Sequence, residues 1–336
     1  MKKTAYYTCS YVPLEIPEAA GFHVKRLLPE KSPSDGDSNL HAGTCLYCKS
    51  LAAAVLDETS IRGGDRVVFA ACCDGMNRTF DVLKHYRPGL RPLVLDVPKK
   101  KDADTVALFA ENLKKLAREM EREWQGTAVT EKALRRAIKS WNAHRARVNG
   151  LLRSPLTGSR MYALLREAAD GGMGAEGERP AAPAKSGGPR IVVAGSALNR
   201  PGLIECIEEL GGDVVLIDTC FGARFYDTAV HEKASDPYLA LAERYLTKAS
   251  CPRMEGTGER IAHLVDSARK AAADGVLYTA VKYCDNSFYE VPETGRRFKE
   301  EDIPFLFIEN DYEWANLGPV KTRVQAFLEM IRMKPA

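Results

Sequence analysis

The sequence has no apolar run long enough to cross a bilayer. A membrane-spanning helix needs about 20 predominantly apolar residues, and charged or polar residues interrupt every apolar stretch of this chain well before that length. Near the start, Thr8, Ser10, Pro13 and Glu15 break up the apolar residues, so no signal peptide is predicted. We therefore expect a cytoplasmic protein without a membrane partner.

An excess of charge of one sign is also missing. The 336 residues include 48 lysines and arginines against 45 aspartates and glutamates, which gives a formal net charge of +3. Proteins that bind nucleic acids usually carry a much stronger basic balance, often concentrated in one patch. The composition therefore predicts no nucleic-acid partner.

The segment GSALNRPG at 195–202 lacks the glycine patterns of nucleotide-binding loops. It matches neither G-x-G-x-x-G nor G-x-x-x-x-G-K-S/T, so we expect the chain to hydrolyse no ATP itself. The segment lies between a predicted strand and a predicted helix, where Gly195, Ser196 and Asn199 could bind a phosphate or carboxylate of a cofactor. A plain tight turn is the alternative.

Short apolar segments alternate with amphipathic ones in both halves of the chain. Strands are predicted at 66–71 (RVVFAA), 190–195 (RIVVAG), 213–219, 275–281 and 304–311. Alternation of strands and helices is typical of an α/β fold with doubly wound parallel sheets. Between 102 and 169 the apolar residues instead recur at steps of three or four, which predicts a purely helical portion.

A segment rich in glycine and proline separates the two halves. Residues 171–189 (GGMGAEGERPAAPAKSGGP) contain almost no large apolar side chain, so they predict a flexible linker. The resulting division is an N-terminal α/β lobe at 1–100, a helical portion at 101–170, this linker, and a C-terminal α/β lobe at 190–336.

The nine cysteines are the main chemical signal. Two form a C-x2-C pair ahead of a predicted helix and four follow predicted strands: Cys45, Cys48, Cys72, Cys73, Cys220 and Cys284. Ligands of open α/β sheets bind at the carboxyl ends of the strands, and thiolates suit both zinc and iron-sulfur clusters. Because the thiols lie far apart in sequence, they favour a cluster at a domain interface. Cys206, inside a predicted helix, is expected to be a buried apolar residue, whereas Cys9 could be either.

Two further residues are candidates for proton transfer. His41 lies beside the C-x2-C loop, and Glu309 lies at the end of a predicted strand. Ordinary loop polarity explains both residues equally well.

Seven segments, taken together, resemble the 2-hydroxyacyl-CoA dehydratase and benzoyl-CoA reductase family, including its double-cubane relatives. They are CSYVPLEIPEAAGF at 9–22, the Cys45/Cys48 loop, CDGMNRTFD at 73–81, GSALNRPGLIECIEELGG at 195–212, DTCFGARF at 218–225, YLTKASCPRM at 245–254 and VKYCD at 281–285. The resemblance implies two flavodoxin-like lobes with a cluster between them.

The resemblance also implies radical chemistry. In the dehydratases three cysteines hold a [4Fe-4S] cluster, and the matching positions here are one of Cys45 or Cys48, then Cys73, then Cys284. The implied partners are an ATP-dependent iron-sulfur activase, a homologous second subunit and an acyl-CoA substrate that reacts through a ketyl radical.

The chain has more thiols than one such cluster needs. Either Cys72 or Cys73 could be the ligand, although the Cys-Asp step matches the family at Cys73. One cysteine of this pair, one of Cys45 and Cys48, and both Cys220 and Cys251 are in excess. The double-cubane branch uses about six cysteines for an [8Fe-9S] cluster. A homodimeric double-cubane reductase of a small molecule is therefore the alternative. A zinc-stabilised or cluster-bearing scaffold without turnover is a third possibility.

Overall fold

The chain forms two four-stranded parallel sheets, seen in a computed structural model that describes residues 3–36, 39–62, 64–171, 187–314 and 317–333. The first sheet has the order β2-β1-β3-β4, with β1 at Thr4–Tyr7, β2 at His23–Arg26, β3 at Arg66–Ala70 and β4 at Leu93–Leu95. The second has the order β6-β5-β7-β8, with β5 at Arg190–Gly195, β6 at Asp213–Asp218, β7 at Gly275–Val281 and β8 at Phe305–Asn310. The predicted α/β class with parallel sheets is confirmed.

Helices connect and cover the strands. They are α1 (Glu15–Ala19), α2 (Leu46–Leu56), α3 (Asp74–Tyr86), α4 (Ala103–Trp124), α5 (Glu131–Leu152), α6 (Gly158–Ala169), α7 (Gly202–Glu209), α8 (Pro237–Thr247), α9 (Thr257–Lys270), α10 (Asp285–Glu300) and α11 (Gly318–Met333). Within the described ranges, none of these helices combines the length and the hydrophobicity that a bilayer span requires.

The second sheet is apolar on both faces because helices pack against each side. Ile191 and Val193 of β5 join the large core that also contains the first sheet, whereas Val192 and Ala194 join a smaller core on the opposite face. Burial of both faces explains why these strands appear in the sequence as continuous apolar runs rather than as alternating ones.

Two short strands were not predicted. β2 and β4 have only four and three residues and form the edges of the first sheet, so they present too few apolar positions for a period of two to be recognised. The predicted linker at 171–189 falls mostly outside the described residues, which omit 172–186.

The helical portion consists of α4, α5 and α6, each started by a capping side chain. Asp102, Thr130 and Thr157 accept hydrogen bonds from backbone N–H groups of the first turns of these helices. Such caps satisfy donors that would otherwise have no partner inside the helix.

Replacing Thr130 with Ala is expected to lower the free energy of unfolding by about 1 kcal/mol. The hydroxyl of Thr130 accepts a hydrogen bond from the N–H of Ala133 at 3.2 Å, and alanine cannot replace this acceptor. Urea unfolding followed by circular dichroism measures the change. Thr322→Ala, at an exposed position inside α11, is the control; an equal loss in both variants would contradict a capping role.

Candidate metal centre

Thiols from both sheets line one enclosed cavity of about 40 Å³. We call the part of the chain around the first sheet the first lobe, and the part around the second sheet the second lobe. Each lobe contributes three of the thiols: Cys9, Cys45 and Cys72 from the first, and Cys220, Cys251 and Cys284 from the second. Four of the six follow β1, β3, β6 and β7 within three residues. The cavity therefore lies at the carboxyl ends of the strands, where open α/β sheets bind ligands.

Three thiols lie at helix N-termini. Cys45 is the residue before α2, Cys73 the residue before α3 and Cys284 the residue before α10, and none of these side chains caps its helix by a hydrogen bond. We call them the outer thiols, because all three line a second cavity, of about 590 Å³, whose wall includes exposed residues such as His41. Cys45 and Cys284 line the enclosed cavity as well. The partial positive charge of a helix N-terminus stabilises the thiolate form of a cysteine.

Four further thiols line the enclosed cavity but not the outer one: Cys9, Cys72, Cys220 and Cys251. We call them the inner thiols. Two belong to each lobe, and all four lie in loops after strands or helices instead of at helix N-termini.

Cys48 lines neither cavity. Its side chain is fully buried and contacts the thiols of Cys45 and Cys73. The backbone of α3 approaches so closely that a Cβ atom at Gly75 would lie 2.9 Å from the sulfur of Cys48. Of the C-x2-C pair, therefore, only Cys45 faces the cavities.

Six thiols form a row of neighbours. The neighbouring pairs are Cys284 and Cys45, Cys45 and Cys48, Cys48 and Cys73, Cys73 and Cys72, and Cys72 and Cys9. The thiol of Cys284 lowers the pKa of Cys45 well below its usual value, and the thiol of Cys48 lowers the pKa of Cys73. The thiol of Cys45 raises the pKa of Cys48, and the thiol of Cys73 raises the pKa of Cys72.

Positive side chains surround these thiols. The side chains of Arg26, Arg224 and Lys248 are nine-tenths buried or more. Arg26 Nη2 lies 3.5 Å from the sulfur of Cys220, and within the described part of the chain its Nε and Nη1 atoms have no hydrogen-bond partner. Lys248 Nζ lies 3.7 Å from the centre of the Tyr11 ring, a cation–π contact.

Arg224 and Arg253 complete the positive side of the site. Arg224 Nε lies 3.5 Å from an oxygen of Asp218, and its Nη2 donates to the carbonyl oxygen of Gly195 at 3.2 Å. Burial lowers the pKa of Arg253, but the charges of Cys73 and Cys72 outweigh this effect and raise its pKa well above the usual value. Buried cations are costly unless negative charge is nearby. Thiolates, or an anionic group bound to them, supply that charge.

The donor set fits a group that binds several separated thiolates. Among the described residues, no three His, Cys, Asp or Glu side chains are arranged to hold one metal ion. The thiols are instead distributed along the walls of two adjoining cavities. Arg26 and Arg253, which line these cavities, have N–H groups without a hydrogen-bond partner among the residues that the structure describes. Soft sulfur donors with nearby hydrogen-bond donors are typical of iron-sulfur sites.

The two candidates for proton transfer have different positions. His41 is exposed and lines the outer cavity, and its Nδ1 accepts a hydrogen bond from the N–H of Gly43 at 3.1 Å. Glu309 is exposed on β8 and lines neither cavity. Side chains alternate along a strand, and Ile308 and Asn310 are the buried ones, so Glu309 points away from the core.

The residues of the 195–202 segment do not form one site. Gly195 has a φ of 114° and lies so close to the carbonyl oxygen of Thr279 that any side chain would collide with it. The N–H of Ser196 donates to the same oxygen at 2.8 Å and is not free for a phosphate, although the side chain lines the enclosed cavity. Asn199 is buried and lines a different pocket, of about 390 Å³, with Arg200.

Ser287 and the buried cations were missed by sequence reasoning. The hydroxyl of Ser287 lies 3.3 Å from the sulfur of Cys284 and 3.3 Å from the hydroxyl of Ser196. Arg224 and Arg253 stand close to cysteines in the segments DTCFGARF and SCPRM, which was a usable signal. Arg26 had no such signal, because it ends the unrecognised strand β2.

Comparison with known proteins extends over nearly the whole chain. Residues 9–331 match the family model described as 2-hydroxyglutaryl-CoA dehydratase, D-component. YjiM of Escherichia coli K12, whose name describes a dehydratase subunit, is 28% identical, with 96% of this chain and 90% of that protein covered. A benzoyl-CoA reductase subunit of Thauera aromatica is 25% identical over 99% of this chain and 92% of its own. The (R)-phenyllactyl-CoA dehydratase beta subunit of Clostridium sporogenes is 24% identical, with 77% and 73% covered. The chain belongs to the 2-hydroxyglutaryl-CoA dehydratase D-component family.

Proposed function

We propose that the chain is the iron-sulfur subunit of an enzyme of the 2-hydroxyacyl-CoA dehydratase type, with a [4Fe-4S] cluster bound by Cys45, Cys73 and Cys284. The observation that carries this proposal is that these three thiols each precede a helix and converge on one cavity. Helix N-termini stabilise negative charge, which a cluster with thiolate ligands carries. The names of the relatives, dehydratase and reductase subunits, agree with it.

When bound, such a cluster supplies single electrons at low potential, so that the carbonyl of an acyl-CoA can become a ketyl radical and expel a hydroxide that acid–base chemistry cannot remove. The side chains of this protein have other tasks. Arg26, Arg224 and Arg253 offset negative charge inside the site, and the hydroxyl of Ser287 can donate a hydrogen bond to the sulfur of Cys284. His41 lies at the outer cavity, where it can hold and deliver a proton.

Two partners follow from this proposal. The relatives are themselves named as subunits of dehydratases and of a reductase, which supports a second, homologous subunit. An ATP-dependent iron-sulfur activase would supply the electron from outside, and the outer cavity is the surface closest to Cys45, Cys73 and Cys284. Electron transfer between two redox groups needs a short distance, so the activase would dock at this opening.

A homodimeric [8Fe-9S] double-cubane reductase of a small molecule is the second candidate. The observation that favours it is the presence of four inner thiols beside the three outer ones, which a single [4Fe-4S] cluster leaves unused.

Metal and sulfide analysis of anaerobically purified protein tests both candidates. About four iron and four labile sulfide per chain support the dehydratase type, and about eight iron support the double cubane. Zinc without labile sulfide would contradict both and would favour a metal-stabilised scaffold. Dehydration of a 2-hydroxyacyl-CoA, assayed with an added activase and ATP, then separates the two enzymatic candidates.

A further inference from the structure

We infer that Ser196 is a positioning residue, which directs the hydroxyl proton of Ser287 to the sulfur of Cys284 and thereby raises the reduction potential of the bound cluster. This inference deepens the proposed function and rests on it through one assignment, that of Cys284 as a cluster ligand. It gives Ser196 a role inside the enclosed cavity in place of the phosphate site that the sequence suggested.

The second sheet places Ser196 beside the loop that carries Cys284. β5 and β7 are neighbours in this sheet, with Gly195 opposite Thr279. A side chain at Gly195 would collide with the carbonyl oxygen of Thr279, so only glycine lets the end of β5 approach β7 this closely. Ser196, the first residue after β5, therefore lies beside Val281, the last residue of β7.

Three contacts connect the backbone of Val281 to the sulfur of Cys284 through the two serines. The N–H of Val281 donates to the hydroxyl oxygen of Ser196 at 3.4 Å. The hydroxyl oxygens of Ser196 and Ser287 are 3.3 Å apart, and the hydroxyl oxygen of Ser287 lies 3.3 Å from the sulfur of Cys284. All four residues line the enclosed cavity. The contacts therefore form one continuous chain that ends at a proposed ligand.

The two ends of this chain determine the direction of the hydrogen bonds between them. A backbone N–H can only donate, so Ser196 accepts at one end and keeps its own proton. A cysteine sulfur bound to iron has no proton, so Cys284 can only accept at the other end. Ser287 has a single hydroxyl proton and donates it to this sulfur. In its contact with Ser196, Ser287 must therefore be the acceptor.

The backbone alone would leave the proton of Ser287 undirected. Ser287 lies in the first turn of α10, where its N–H donates to the carbonyl oxygen of Cys284 at 3.0 Å. This bond holds the hydroxyl oxygen near the sulfur but does not restrict rotation of the hydroxyl proton. The proton of Ser196 occupies the oxygen of Ser287 as an acceptor, which favours the orientation toward Cys284.

A hydrogen bond to a ligand sulfur favours the reduced form of a cluster. Reduction adds negative charge to the cluster and its sulfurs, and a hydrogen-bond donor stabilises that charge. Ser287 is only 4% exposed, so little water competes with this donor, and a hydrogen bond is electrostatically stronger in such surroundings than in water. The chain of hydroxyls is therefore expected to make the cluster easier to reduce.

Redox titration of the anaerobically purified protein, followed by absorbance and electron paramagnetic resonance, tests the inference. Ser287→Ala is expected to make one-electron reduction about tenfold less favourable, which lowers the midpoint potential by about 59 mV. Ser196→Ala should lower the potential by less, because the hydroxyl of Ser287 can still reach the sulfur. Ser287→Thr keeps a hydroxyl and should restore most of the wild-type potential.

The double variant Ser196→Ala/Ser287→Ala separates positioning from a direct effect. A residue that acts only through Ser287 has nothing left to position once that hydroxyl is removed. The double variant should therefore have the same potential as Ser287→Ala alone. Additive shifts would overturn the positioning role, because Ser196 would then affect the cluster independently of Ser287.

Thr294→Val is the matched control. Thr294 also belongs to α10, is 1% exposed and donates to the carbonyl oxygen of Glu290 at 2.9 Å, but it lines neither cavity. Its replacement should leave the potential at the wild-type value. An equal shift in Thr294→Val and Ser287→Ala would overturn the inference, because the loss of any buried hydroxyl would then have the same effect.

Iron and labile sulfide content of each sample separates this test from that of the proposed function. A wild type with a cluster and an unchanged potential in Ser287→Ala would overturn the inference and leave the proposed function standing. A wild type without iron or sulfide would refute both. If Ser287→Ala does not bind a cluster, the potential of Ser196→Ala decides: a lowered value supports the inference, and an unchanged value overturns it.

Discussion

Cys284→Ala is expected to remove most of the bound iron and of the visible absorbance. Cys284 precedes α10 and is the outer thiol that the second lobe contributes, so its loss removes the ligand that joins the proposed cluster to that lobe. Cys73 has the thiols of Cys48 and Cys72 beside it, and either could replace it as a ligand. The thiol beside Cys284 is that of Cys45, which is itself a proposed ligand. A replacement ligand is therefore not at hand. Colorimetric iron analysis and the absorption spectrum measure the effect.

Cys73→Ala should also lower the iron content, but less completely, because the thiols of Cys48 and Cys72 lie beside Cys73. Cys206→Ala is the matched control. Cys206 is buried in α7 and lines neither cavity, so its replacement should leave both iron content and absorbance intact. Full iron content in Cys284→Ala and Cys73→Ala would refute the assignment of the outer thiols as ligands.

Glu15→Ala is expected to lower the free energy of unfolding by about 3–5 kcal/mol. Glu15 and Arg145 are almost completely buried, with Glu15 Oε1 and Arg145 Nη2 2.5 Å apart. The hydroxyl of Tyr245 donates to the other carboxylate oxygen at 2.9 Å and accepts from the N–H of Leu14 at 3.1 Å. Without the carboxylate, Arg145 becomes a buried cation without compensation, close to Arg244. The midpoint of urea unfolding, at unchanged slope, measures the loss.

This network also joins three parts of the chain. Glu15 belongs to α1 in the first lobe, Arg145 to α5 in the helical portion and Tyr245 to α8 in the second lobe. Glu293→Ala is the control, because it breaks an exposed pair with Arg296 inside α10. Water solvates both charges there, so the midpoint should hardly move. Equal destabilisation by the two substitutions would contradict a special role for the buried network.

The sequence was sufficient to predict the parallel α/β architecture and the positions of most strands. Continuous apolar runs such as 66–71 and 275–281 match β3 and β7 closely, because strands covered on both faces need apolar residues throughout. The periodic residues of α4, including Phe109, Leu113 and Met120, are buried as their spacing indicated.

The position of Glu309 shows what strand prediction leaves open. A predicted strand indicates that its residues reach one edge of the sheet, but the direction of each side chain depends on the register against β7. Glu309 pairs with Ala280 and is exposed, while its neighbours Ile308 and Asn310 are buried. A place at the end of a predicted strand was therefore not enough to put Glu309 beside the thiols.

The sequence alone determined that thiols would follow strands and precede helices, because Cys45, Cys73 and Cys284 stand where local patterns change. Only the tertiary structure decided which thiols face a common cavity. Cys48 is covered by the close approach of α3 to α2, and Cys9 is brought beside Cys72 by the pairing of β1 with β3. The cation Arg26 reaches the same cavity from β2, an edge strand of the first sheet. Local preferences specify where a strand or helix ends, but packing between elements far apart in sequence specifies which side chains meet.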